Sequence, residues 1–126
     1  MTPVPLRKYK KEYARTLVGI ARGDLDSAIG LQKSGMGRPE NIFFMCAQSI
    51  EKSLKAVTCH LGKSVLHSHD LEALLSHLPE EAVPPRADAF AALSPFSSAK
   101  RYEEGFEVYS KEDIDAVIRF GASLYP

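Results

Sequence analysis

Residues 39–62 read PENIFFMCAQSIEKSLKAVTCHLG, and this stretch decides the fold. Phe43, Cys46, Ile50, Leu54, Val57 and Leu61 recur at steps of three and four, with Ile42, Met45 and Ala47 widening the apolar face. At 3.6 residues per turn such positions fall on one side of a helix. Pro39 suits a first helical turn, where its missing N–H has no partner to lose, and Gly62 suits the stop. The spacing predicts a helix from Pro39 to Leu61. A second stripe, Gln48, Glu51, Lys52 and Lys55, is polar. Glu51 precedes Lys55 by four residues, the order that favours an ion pair along a helix.

Upstream, Ala14, Leu17, Val18, Ala21, Leu25, Ala28 and Ile29 repeat the same period and predict a helix from about Glu12 to Lys33, ended by Gly35-Met36-Gly37. Gly23 weakens it by up to about 1 kcal/mol relative to Ala. Pro3 and Pro5 keep the first residues extended, so residues 1–11 read as a basic arm and residues 12–126 as the folded domain. Downstream, Ser68-His69-Asp70 can cap a short helix carrying Leu71, Leu74, Leu75 and Leu78. Pro84-Pro85 opens a fourth helix, Arg86 to Leu93, closed by Pro95. Ser110-Lys111-Glu112-Asp113 starts a fifth, with Ile114, Val117, Ile118, Gly121 and Leu124 on its apolar face. Five helices joined by short loops make an all-α, single-domain bundle.

Composition agrees with one globular domain. The 126 residues are 44% hydrophobic and 25% charged, too apolar for a disordered chain. Sixteen Lys and Arg balance sixteen Asp and Glu, which excludes a cationic coat over the whole surface. The balance is uneven along the chain. Arg7, Lys8, Lys10, Lys11 and Arg15 face Glu12 alone in residues 1–15, a net of +4 that leaves −4 for the remainder. Such a basic segment is either solvated, paired with its own fold, or placed against phosphate or an acidic partner. No apolar run approaches a membrane span and the N-terminus has no apolar signal core, so a cytoplasmic protein is expected. Cys46 and Cys59 form no C-x-x-C pair and read as reduced, buried thiols.

Several segments then line up with one family. Ala21-Arg-Gly-Asp24-Leu25-Asp-Ser-Ala28 is followed by Ala47-Gln48-Ser-Ile50-Glu51-Lys52-Ser-Leu54-Lys55-Ala56, then His69-Asp70-Leu71, then Arg101-Tyr102. The order resembles the HEPN family (higher eukaryotes and prokaryotes nucleotide-binding) over about residues 12–124. The resemblance implies a five-helix up-and-down bundle, commonly homodimeric, often encoded beside a minimal nucleotidyltransferase in a two-component, toxin–antitoxin-like system. The resemblance also implies a link to metal-independent ribonucleases, whose Arg and His are separated by four to six intervening residues and assembled across the dimer cleft. That pair is missing: Phe106, Glu107 and Val108 occupy the required places after Arg101. No other arginine has a histidine at that distance, and the chain's last histidine is His77. Glu103 also replaces the proline of the family's R-Y-P.

The expected function follows from this combination: a non-catalytic, nucleotide- or nucleic-acid-binding partner of a nucleotidyltransferase. The candidate binding residues are Gln48, Glu51, Lys52, Lys55, His69, Asp70, Arg101 and Tyr102. Lys52 or Lys55 with Arg101 would take phosphate oxygens, Arg through its bidentate fork, while Glu51 would hold a lysine in place. Tyr102, Phe106 and Tyr109 could stack a nucleobase or pack the core. Asp24 borders the apolar edge of the first helix and needs a partner, expected to be Lys55 or Arg101. Two further readings stay open: a divergent ribonuclease pairing Arg101 with His69 as catalytic residues, and a purely structural helical dimer. His67-Ser-His69-Asp70 lacks the further ligands a metal site needs, so neither metal nor cofactor is expected beyond a nucleotide ligand.

Overall fold

A computed structural model describes residues 6–36, 38–85, 87, 88, 93 and 110–123, with the backbone alone at residues 6–10 and 120. Four α-helices and no strand appear among them: α1 Leu6–Ser34, α2 Pro39–His60, α3 Leu71–His77 and α4 Lys111–Ala122, with a 3-10 turn at Glu80–Ala82. The expected fourth helix over 86–93 lies largely outside the described residues; Ala87 and Asp88 are helical and Leu93 is buried.

α1 and α2 form an antiparallel hairpin and share the most extensive packing in the molecule. Gly35 ends α1 at φ 67°, its N–H bonded to the Leu31 carbonyl at 3.2 Å, a left-handed turn that an L side chain would strain. Pro39 opens α2 behind Arg38, and Gly62 at φ 80° closes it. α1 begins at Leu6, not at the expected Glu12. The residues from Lys8 to Lys11 are good helix formers, and no proline falls between Leu6 and Ser34 to interrupt the backbone ladder. The basic segment is therefore displayed from a helix.

α2 is the central element. Ala47, Ser49, Ile50, Glu51, Ala56 and Thr58 are all buried, which takes burial well beyond one stripe. α1, α3 and α4 each pack against it. The main core joins Ala28 of α1, Ile42, Phe43, Cys46, Ile50 and Leu54 of α2, Leu71, Leu74 and Leu75 of α3, and Val117 and Ile118 of α4. A smaller cluster near the end of α2 joins Ala14 and Leu17 to Ala56 and Cys59.

Three expected core positions are not buried. Val18, Val57 and Leu61 are exposed. At this end Ala14 and Leu17 pack on Ala56 and Cys59, round the helix from Val57, which stays 38% exposed. Both cysteines are free and buried, as expected. No described helix is long and apolar enough to cross a membrane.

The short helices start as their sequences dictate. Asp70 caps α3, its Oδ1 accepting from the Glu72 N–H at 3.0 Å and the Ala73 N–H at 3.5 Å. Ser110 and Asp113 form a reciprocal capping box on α4. Gln32 of α1 donates to Asp115 of α4, and a Cβ at Gly121 would lie 3.1 Å from Leu25 Cδ1. These two approaches fix α4 antiparallel to α1.

Candidate functional site

The polar stripe of α2 turns inward instead of lying free in solvent. Glu51 is only 2% exposed, on a helix whose neighbouring positions Ile50 and Leu54 are core. A carboxylate placed there stays charged only if paired and hydrogen-bonded. Both oxygens are engaged. Lys55 Nζ donates to Oε2 at 3.2 Å, one turn along the same helix. His69 Nδ1 meets Oε1 at 2.9 Å from the segment that leads into α3.

Beside it, Lys52 Nζ donates to Asp24 Oδ2 of α1 at 2.7 Å and to Gln48 Oε1 at 3.0 Å. Asp24 thus has the partner its position demands, but the partner is Lys52, not Lys55 or Arg101. Lys55 is held by Glu51, whereas Lys52 comes within reach of α1 through the antiparallel register of the hairpin. The two lysine side chains are 22% and 14% exposed at Lys52 and Lys55, so both are largely covered and fixed at a short helical spacing.

His69 differs in kind. Its side chain is 69% exposed, with Nδ1 tied to a buried carboxylate. A carboxylate on one ring nitrogen orients the imidazole and directs the other, Nε2, away from that contact. Asp70 next to it is occupied by the α3 cap, so of the His69-Asp70 pair the aspartate caps and the histidine joins the stripe.

Of the expected residues, Gln48, Glu51, Lys52, Lys55 and His69 come together in one cluster, with Asp24 added from α1. Arg101, Tyr102, Phe106 and Tyr109 lie outside the described residues. The Glu51–His69 contact joins positions 18 apart and carried no local signal; its trace in the sequence is a glutamate placed beside core positions. Among the described residues, no group of three or more His, Cys, Asp or Glu converges in a way that could hold a metal ion.

The cluster's charges nearly cancel: Lys52 and Lys55 against Asp24 and Glu51, with His69 at the rim. Each ammonium has three N–H donors, so pairing with a carboxylate leaves donors for a further oxygen ligand. What the arrangement can do is hold an anion at a pre-ordered pair of lysines, or move a proton at the outer nitrogen of His69.

Compared with the patterns of known protein families, residues 14–125 match the HEPN domain. Comparison with curated proteins and with solved structures finds no significant match.

Proposed function

Because this chain belongs to the HEPN-domain family, we propose that it is a nucleotide- or nucleic-acid-binding subunit serving a nucleotidyltransferase, and that it performs no chemistry of its own. The observation that carries the reading is the pair of lysines fixed by carboxylates on the inner stripe of α2. Long side chains usually lose conformational freedom when they bind; here Asp24 and Glu51 already hold Lys52 and Lys55, which lowers that loss. Arg101 adds a planar fork suited to phosphate oxygens. A homodimer presents the cluster twice. The absence of the Arg–His pair supports a binding role over a catalytic one.

The test is calorimetric titration of ATP, GTP and a short single-stranded RNA into the purified protein, alone and with any nucleotidyltransferase that a neighbouring gene encodes. Saturable binding is expected, weakened about tenfold or more by Lys52→Ala or Lys55→Ala, since each removes one charge-assisted contact. Binding should also fall as salt rises. No saturable binding in either setting removes the nucleotide reading. Light scattering after size exclusion tests the dimer, and a monomer at micromolar concentration removes it.

One observation favours a second reading. Glu51 orients His69 as a buried carboxylate orients a catalytic imidazole, and Arg101 could supply the cation for a phosphate. This would be a metal-independent ribonuclease built on a non-standard His. Cleavage of total RNA by wild type, lost in both His69→Ala and Arg101→Ala, supports it; an inactive wild type ends it.

A further inference from the structure

A groove of about 700 Å³ is lined by α1, α2 and the 3-10 turn region. Its walls are Val18 of α1, Leu54 and Val57 of α2, Ala82 of the turn and Pro84 beyond it. Val18 and Val57 are 43% and 38% exposed, and Val83, between the last two wall residues, is 37% exposed. Large aliphatic side chains left open in one contiguous strip mark a docking surface more often than isolated ones do. The rim is basic: Lys11 and Arg15 on α1 and His60 on α2. No carboxylate lines the groove among the described residues, and none of them pairs with Lys11 or Arg15.

The groove is separate from the candidate site. At about 100° per residue, Ser53, Val57 and His60 point roughly 150° away from Gln48, Glu51, Lys52 and Lys55 around α2. The inference below therefore does not rest on the nucleotide reading.

We infer that this groove receives an amphipathic helix with acidic flanks, supplied by a partner protein. Three features select that occupant. The lining spans Lys11 to Val18 on one wall and Ser53 to His60 on the other, seven residue steps each, or about 10 Å of helix, which matches two turns of an inserted helix. The two cationic groups, Lys11 and Arg15, stand one turn apart on α1, so they meet two spaced carboxylates better than the single head of a fatty acid. The floor is aliphatic, with no aromatic side chain among the described lining residues, which suits Leu or Ile anchors and offers no platform for a nucleobase. Lys11 and Arg15 belong to the +4 stretch of residues 1–15, and in this groove they are the steering edge of an interface.

The experiment uses the full chain and a fluorescein-labelled 14-residue peptide with Leu at positions i, i+4, i+7 and i+11, Glu on the flanks and Ala elsewhere. Anisotropy should rise saturably and fall off with salt. Affinity should drop about tenfold or more with the double reversal Lys11→Glu, Arg15→Glu and with Val57→Asp, both at exposed positions where the fold tolerates them, as circular dichroism checks. A peptide of the same composition with its leucines spread around the helix should bind at least about tenfold more weakly. Val57→Asp should leave the ATP titration as in wild type, so the two sites fail or succeed separately.

Absence of saturable binding, or affinity unchanged in the groove variants, overturns the inference. Saturable binding of dodecanoate but not of peptide overturns it in favour of a small amphiphile. A dimer that dissociates on Val57→Asp, with no peptide binding in wild type, assigns the groove to a second copy of the chain and overturns it as well.

Discussion

Glu51 carries more of the local design than any other single residue. It is buried, charged, and shared between Lys55 and His69. Truncation leaves Lys55, 14% exposed, beside an emptied space without its counter-ion. Glu51→Ala is expected to cost about 2–3 kcal/mol in urea unfolding, below the value for a fully buried pair because His69 reaches water. A loss under about 0.5 kcal/mol would mean that the two contacts contribute nothing to folding. Cys46 gives a prediction of a different kind. Burial pushes its thiol up from 9.0 to about 12, because a thiolate there would be desolvated. Its folded pKa lies above the unfolded one, so its contribution is complete below about pH 9 and is lost as pH rises toward 12. The stability gap between wild type and Cys46→Ala should therefore narrow above pH 9, by at most about 1.4 kcal/mol per pH unit. A gap constant to pH 11 in urea melts contradicts this.

At the scale of elements, α1 is long and carries an avoidable weakness. Gly19, Gly23 and Gly30 all lie within it, and a Cβ built on Gly23 meets nothing within 4 Å. Gly23→Ala should stabilise the protein by about 0.5–1 kcal/mol, the ordinary helix-propensity difference. Gly121 of α4 is the contrast, since a methyl there crowds Leu25 Cδ1 at 3.1 Å. Gly121→Ala should gain less than Gly23→Ala, because Leu25 must shift to admit it. Thermal melts of the two variants decide the point, and equal gains would show that α4 does not press on α1 there. The caps were legible from the sequence: Asp70 and Ser110 stand where short polar side chains must satisfy free N–H groups. The start of α1 was not, because Pro3 and Pro5 suggested a longer extended segment than the helix allows. The apolar period read from Ala14 onward gives little sign of residues 6–11, four of which are charged, yet their backbone is helical.

For the whole molecule, α2 is the axis on which the other three described helices pack. Ile50, completely buried, sits in the main core with residues from all of them. Ile50→Ala should cost about 2–5 kcal/mol, a large part of the roughly 5–15 kcal/mol that a domain of this size has. Denaturant midpoints measure this, and a loss below about 1 kcal/mol would mean that the core collapses onto the gap without penalty. The arrangement also sorts the molecule's two polar features onto opposite sides of α2. The paired lysines lie on one, and the aliphatic groove with its basic rim lies on the other.

The helical periods along the chain, strongest over residues 39–62, were enough to establish an all-α bundle, its turns at Gly35 and Gly62, and most of the apolar faces of α1 to α4, because burial in a helix repeats every 3.6 residues and the chain's apolar residues follow that repeat. The i,i+4 pair of Glu51 and Lys55 was legible for the same reason. The partner of Asp24, the hold of Glu51 on His69, and the exposure of Val18 and Val57 were decided only when the helices packed. Each depends on which face of one helix meets which residue elsewhere in the chain, across separations of 18 to 28 residues for the polar contacts. A local pattern records how far an apolar side chain lies from its neighbours along the helix, and not what stands opposite it.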